Sequence, residues 1–205
     1  MFLPQPNDRS FVPPPAGTHA AICYRFIDLG TQIVHYKGED KTQHKVLISW
    51  ELPGELMEDR RPFTISRRYT WSMSEKSNLR HDLEAWRGKA FSKEDFIGEK
   101  RFNIQNILGV PCLLTIIHTV KDDGTTYGNI KGVAALPKGM TKPLPVNEHV
   151  FFTLEPESFD QSVLESFPGK MRDTIMSSPE YAQLTADNDS PRRQEWRDPD
   201  DEIPF

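Results

Sequence analysis

Pro62-Phe63-Thr64-Ile65-Ser66-Arg67-Arg68-Tyr69-Thr70-Trp71 carries the strictest alternation in the chain. Phe63, Ile65, Tyr69 and Trp71 fall on one side and Thr64, Ser66, Arg68 and Thr70 on the other, the period of a half-buried strand. Arg67 alone interrupts the apolar side. Upstream, Thr18–Leu29 (T-H-A-A-I-C-Y-R-F-I-D-L) is rich in β-branched and aromatic residues and reaches Gly30, which predicts a first strand. A turn follows at Gly38–Lys41. Lys45–Leu52 then puts Val46, Ile48, Trp50 and Leu52 on one face, with Pro53-Gly54 as its stop.

Downstream of the alternating strand, Ser74 or Ser77 is placed to cap a helix whose Leu79, Leu83 and Trp86 form one stripe before Gly88. Asn103–Leu108 reads as a short helical turn. Residues 110–120 and 126–136 read as strands joined through Asp122-Asp123-Gly124, and Gly128 and Gly132 predict bulges in the second. A Pro-rich stretch to Pro145 leads to an apolar segment at Val150–Leu154 and two weakly amphipathic stretches at 158–167 and 170–177. About five short strands with an inserted helix predict a mainly β protein, an OB-fold-like closed β-barrel with short helices and disordered tails. A β-sandwich has the same strand content and stays open as the alternative. The expected organisation is a flexible Pro-rich arm at 1–16, the barrel at 17–154, a helical extension at 155–184 and an acidic tail at 185–205.

Of 205 residues, 37% are hydrophobic and 17 are proline, a polar balance that still leaves enough apolar runs for one core. No run approaches the length of a membrane span, and Met1–Pro6 has neither a basic region nor an apolar stretch behind it, so the expected location is cytoplasmic. Two distant cysteines and six scattered histidines form no disulfide framework or zinc spacing, and no cofactor is expected. Phosphate-loop and nucleophile-elbow motifs are missing, and His81-Asp82 and Asp122-Asp123 lie where a helix and a turn account for them, so an enzyme is not expected.

The net charge of −5 conceals an asymmetry. Residues 60–101 hold eleven Lys and Arg against six acids, whereas 185–205 hold seven acids against three arginines. A basic, aromatic middle suits a polyanion, because cations follow phosphates while flat side chains stack on bases. The expected backbone contacts are Arg67, Arg68, Arg87, Lys89 and Lys131, and the expected stacking residues are Tyr69, Trp71 and Tyr127. By alternation Arg68 points away from the apolar face and Arg67 onto it, so one of the two assignments must give way.

The sequence given ends in Asp200-Asp201-Glu202-Ile203-Pro204-Phe205. Its chemistry suits capture by another protein: a pocket for the Phe ring, a cation for the terminal carboxylate, a basic ridge for the acids, and a proline that limits the entropy lost on docking. This D-D-E-I-P-F resembles the acidic tip of bacterial single-stranded DNA-binding proteins. The resemblance covers six residues and implies an OB-fold that binds single-stranded DNA, with the tip recruiting host replication, recombination and repair proteins. It further implies a bacteriophage member of that group. The segment before the tip is short, lacks the Gly/Gln-rich character common there and contains Trp196 with Arg192, Arg193 and Arg197, so the tetramer of that family does not carry over as an expectation, and a homodimer is one candidate assembly. The alternative is an adaptor or decoy that occupies the host tip-binding pocket without touching DNA.

Overall fold

The structure is a computed structural model, and it describes residues 12–36, 38–99 and 101–189. The tip Asp200–Phe205 lies outside the described residues, as does most of the expected Pro-rich arm. Six strands are present: β1 Gly17–Tyr36, β2 Glu39–Leu56, β3 Pro62–Thr70, β4 Pro111–Val120, β5 Thr126–Ala135 and β6 Val150–Phe152. Among the described residues one α-helix, α1 Asn78–Arg87, stands between β3 and β4, and three follow β6: α2 Gln161–Glu165, α3 Gly169–Met176 and α4 Pro179–Asp189. One sheet holds them in the order β3-β2-β1-β4-β5, antiparallel throughout, while β6 pairs parallel with β1. The sheet does not close as the closed-barrel expectation required. Its edge strands β3 and β5 come within 8 Å without a hydrogen-bonded ladder between them.

The predicted strands are present; β1 and β2 run well past their expected ends, while β3, β4 and β5 match their expected bounds to within one residue. Gly30 does not end β1; it takes φ 68° beside a register shift, and the strand continues through Thr31–Tyr36 into a two-stranded ribbon with Glu39–His44. Pro53 and Gly54 are likewise absorbed in an irregularity between Leu52 and Leu56. Ser77 caps α1 by accepting from the Arg80 N–H at 3.1 Å, and Gly88 ends it in the left-handed region at φ 65°. A bulge occurs beside Gly132, as expected. Gly128 makes none: its missing Cβ leaves room for buried Pro14, which lies 3.2 Å from where that atom would be. Helix α4 carries the chain past residue 184, the expected start of the tail.

Two cores flank the sheet. On one side Leu79, Leu83 and Trp86 of α1 pack against Val46, Ile48, Trp50, Cys112, Leu114 and Ile116, which plugs one end of the curved sheet. On the other, Ile27, Leu29 and Leu47 meet Phe152, Leu164, Phe167 and Ile175 from β6 and the C-terminal helices. Cys23 and Cys112 are buried free thiols in the first core, and burial pushes the pKa of both up. Among the described residues no helix is long and apolar enough to cross a membrane.

Two polar anchors fix the segments that follow β5. Glu51 is wholly buried and accepts from the Val146 N–H at 2.8 Å, the Asn147 N–H at 2.9 Å and Asn147 Nδ2. Its replacement by Ala removes three hydrogen bonds and opens a cavity under the Val146–Asn147 segment, so Glu51→Ala is expected to cost about 2–3 kcal/mol in urea unfolding. The second anchor is His44, which contacts Asp28 at 2.6 Å and Glu180 of α4 at 3.3 Å, while Glu180 also accepts from the Thr31 N–H and hydroxyl. The bond to Asp28 raises the His44 pKa against an opposing effect of burial, and the Asp28 and Glu180 charges add to the rise. Burial disfavours the Glu180 carboxylate, but the two bonds from Thr31 outweigh it and lower its pKa. His44 therefore contributes stability that is full below the ordinary histidine pKa and is lost as pH rises through its raised value. Glu180 contributes stability that is lost only as pH falls through its lowered value. The melting temperature should accordingly decline as pH climbs above the ordinary histidine range, and His44→Ala should flatten that decline while costing about 1–2 kcal/mol at pH 6.

Candidate nucleic-acid interface

The alternation of β3 resolves the two arginines. Phe63, Ile65 and Tyr69 pack with the first core, and Arg67 shares their side, donating to Asp82 of α1 at 2.8 Å with its guanidinium 5.2 Å from the Tyr69 ring centre. The Tyr69 hydroxyl donates to the same carboxylate at 2.7 Å. Burial, then the Asp82 charge, pushes the Tyr69 pKa well up, and with 3% of its surface exposed the ring has no open face for a base. Tyr69 and Arg67, expected as contacts to the strand, thus tie β3 to α1 instead.

Arg68 is exposed on the opposite side of β3. Across the β2–β3 ladder Lys45 pairs with Thr70, and its Nζ donates to the Thr70 hydroxyl at 2.9 Å and to Gln43 at 2.6 Å. Burial, followed by the charge of Arg68, lowers the Lys45 pKa. Among the described residues no carboxylate is bonded to either of these two cations, which disfavour each other, an arrangement that an incoming phosphate relieves. One row further along, Arg25 of β1 stands opposite Ser49, whose hydroxyl lies 2.8 Å from that of Ser66 on β3. The Arg25 guanidinium lies 5.1 Å from the Tyr24 ring centre, and its buried Nε finds no acceptor among the described residues. Arg25, Lys45 and Arg68 thus share the side of β1, β2 and β3 that carries Ile27 and Leu47 of the second core: Arg68 is exposed at its edge, Arg25 and Lys45 are half-buried, and the Ser49 hydroxyl is buried against exposed Ser66. Sequence reasoning missed Arg25 and Lys45. The signal was Arg25 itself, a charge in the middle of an apolar run, but the register shift between Cys23 and Arg25 that puts it opposite Ser49 is invisible to simple alternation.

The remaining expected residues are dispersed. Arg87 at the end of α1 donates to Asp95 at 2.8 Å and lies 4.2 Å from the Phe91 ring centre and 5.0 Å from that of Phe102, so it clasps the loop after α1. Lys89 is exposed just beyond it. Trp71 follows β3, 43% exposed, with Phe26 packed edge-on at 5.8 Å. Lys131 is exposed beside the β5 bulge, and half-buried Tyr127 has the Lys121 ammonium 4.2 Å from its ring centre. The carboxylates weighed for chemistry have local partners: Asp82 as above, and Asp123 accepting the Thr125 N–H at 2.8 Å within the β4–β5 turn.

Compared with models of known protein families and with curated proteins, the sequence matches none of them.

The two neighbouring arginines should separate cleanly in unfolding experiments. Arg67→Ala leaves Asp82 with only the Tyr69 hydroxyl and is expected to cost about 2 kcal/mol, whereas Arg68→Ala should stay within about 0.5 kcal/mol of the parent.

Proposed function

We propose that this protein binds single-stranded DNA without sequence preference, laying the strand along the Arg68 edge of the sheet, beside the second core, where Arg25 and Lys45 lie on the same side. The observation that carries the proposal is the group Arg25, Lys45 and Arg68, cations on one side of the sheet with no carboxylate bonded to them among the described residues, beside the Ser49 and Ser66 hydroxyls. Phosphates supply the missing counter-charge, and release of their own counterions drives association. Two further features support the reading. The order β3-β2-β1-β4-β5, with α1 between β3 and β4 and the two edge strands drawn near each other, is consistent with a partly open OB-fold, a fold that takes oligonucleotides on the face of strands 2 and 3. The hexapeptide D-D-E-I-P-F resembles the tip by which bacterial single-stranded DNA-binding proteins recruit their partners, so replication and repair enzymes of a host are the proposed partners of residues 200–205.

In this reading the exposed Arg68 and the partly buried Arg25 and Lys45 hold the backbone, Trp71 supplies the first stacking surface, and Lys131 and Tyr127 extend the path onto β5. The test is anisotropy of a labelled oligo-dT strand at several salt concentrations, with duplex DNA as competitor. Binding that persists against duplex and weakens with salt is expected. The triple variant Arg25→Gln, Lys45→Gln, Arg68→Gln should lose at least tenfold in affinity and reduce the salt slope by about 2–3. Unchanged binding by a folded triple variant would reject this face. No binding by the parent at low salt, with or without residues 197–205, would reject the function and favour the adaptor.

A further inference from the structure

Beyond β3 the chain leaves a groove of about 180 Å³ that no described residue fills. Trp71 and Met73 form one side and Phe96, Arg101, Phe102 and Ile104 the other, with buried Leu83 among the residues at its base. Ligand pockets for drug-sized molecules run to about 300 Å³ and more, so this volume suits a single flat ring and little else. Two of its exposed walls are aromatic, Trp71 at 43% and Phe96 at 44%. Phe91 braces the lining, 5.5 Å from Phe96 and edge-on to Phe102 at 5.4 Å, and Arg87 lies against Phe91 and Phe102.

Charge around the groove selects among flat ligands. Arg101 is exposed at the lining, and the Arg80 guanidinium lies 6.0 Å from the Phe96 ring centre. Asp95, also in the lining, is held by Arg87 at 2.8 Å, so the interior offers a matched ion pair and apolar rings while Arg101 stays exposed to solvent. A neutral heteroaromatic ring carrying a phosphate on its outer side suits that arrangement. Trp71 lies at the end of β3, three residues beyond Arg68 and on the side of the strand that meets Phe26 of the first core.

We propose that the groove takes one unstacked nucleobase of the bound strand, seated against Trp71 and Phe96 with its phosphate toward Arg101. The inference rests on the single-strand reading above and adds to it a base-recognition site apart from Arg25, Lys45 and Arg68. Stacking of a base on an aromatic side chain is worth about 1–3 kcal/mol, equivalent to roughly 5- to 150-fold in affinity.

The experiment compares two labelled probes of equal length, oligo-dT and a strand of abasic sites, on the parent protein and on Trp71→Ala and Phe96→Ala. The parent should bind oligo-dT at least fivefold more tightly than the abasic strand. Each variant should weaken oligo-dT binding by at least fivefold and leave abasic binding unchanged, with a melting temperature close to the parent's. Equal affinity of the parent for the two probes overturns the base site while leaving backbone binding intact. So does a loss that strikes both probes equally, which marks a structural role for the rings. Failure of the parent to bind either probe overturns the site and the single-strand reading together. A free peptide of residues 197–205 that competes with oligo-dT on the parent but not on Phe96→Ala reassigns the groove to a peptide and also overturns the proposal.

Discussion

Everything in this molecule hangs on β1, a strand of 20 residues that must serve three partners and two cores. Its first part pairs with β4 while its later part pairs with β6 on the same side, and β2 runs along most of the other side. A regular pleat would keep one set of side chains on one face for the whole length. Two register shifts, between Cys23 and Arg25 and between Asp28 and Gly30, break that rule, and shifts of this kind bend and twist the strand that carries them. Cys23 and Phe26 consequently reach the core under α1 while Ile27 and Leu29 reach the core under the C-terminal helices. The first shift also puts Arg25 opposite Ser49, so the constraint that shapes the sheet shapes the candidate interface as well.

Much of the fold was legible because strong local signals coincide with what tertiary packing demands. Pro62–Trp71 alternates, and β3 occupies Pro62–Thr70; Leu79, Leu83 and Trp86 stripe a helix, and the same three are buried in α1. Misreadings cluster where a punctuating residue is absorbed instead of obeyed. Gly30 and Pro53-Gly54 looked like strand ends because glycine and proline usually are, yet each lies in an irregularity of a continuing ladder. Helix α4 gave little periodic signal, since its apolar residues are few; contacts made by Tyr181, Leu184 and Glu180 hold it in place. Closure was likewise illegible, because whether two edge strands meet is decided by curvature and not by local pattern.

The site followed the same logic. A cluster of Arg and aromatic residues at 67–71 drew the eye as one functional unit, but a strand divides such a cluster between two faces. Arg67 and Tyr69 went inward to share Asp82, Arg68 went outward to share an uncompensated field with Lys45, and Trp71 passed beyond the ladder to the mouth of a groove. Reading charge density along the sequence therefore overcounts contacts roughly by the strand's own alternation. The pairing partners of each cation, carboxylate or none, sort them better than their proximity in sequence.

The two thiols lend the protein an internal clock. Cys23 and Cys112 lie in adjacent strands, β1 and β4, and burial both hides them and suppresses their thiolate forms. A thiol reagent meets neither until the β1–β4 part of the sheet separates from its core, so their modification rate records how often the sheet opens at its central strand. With no other cysteine in the chain, that record is free of background. A reporter cysteine introduced on the surface would conversely react alone while the fold stays closed.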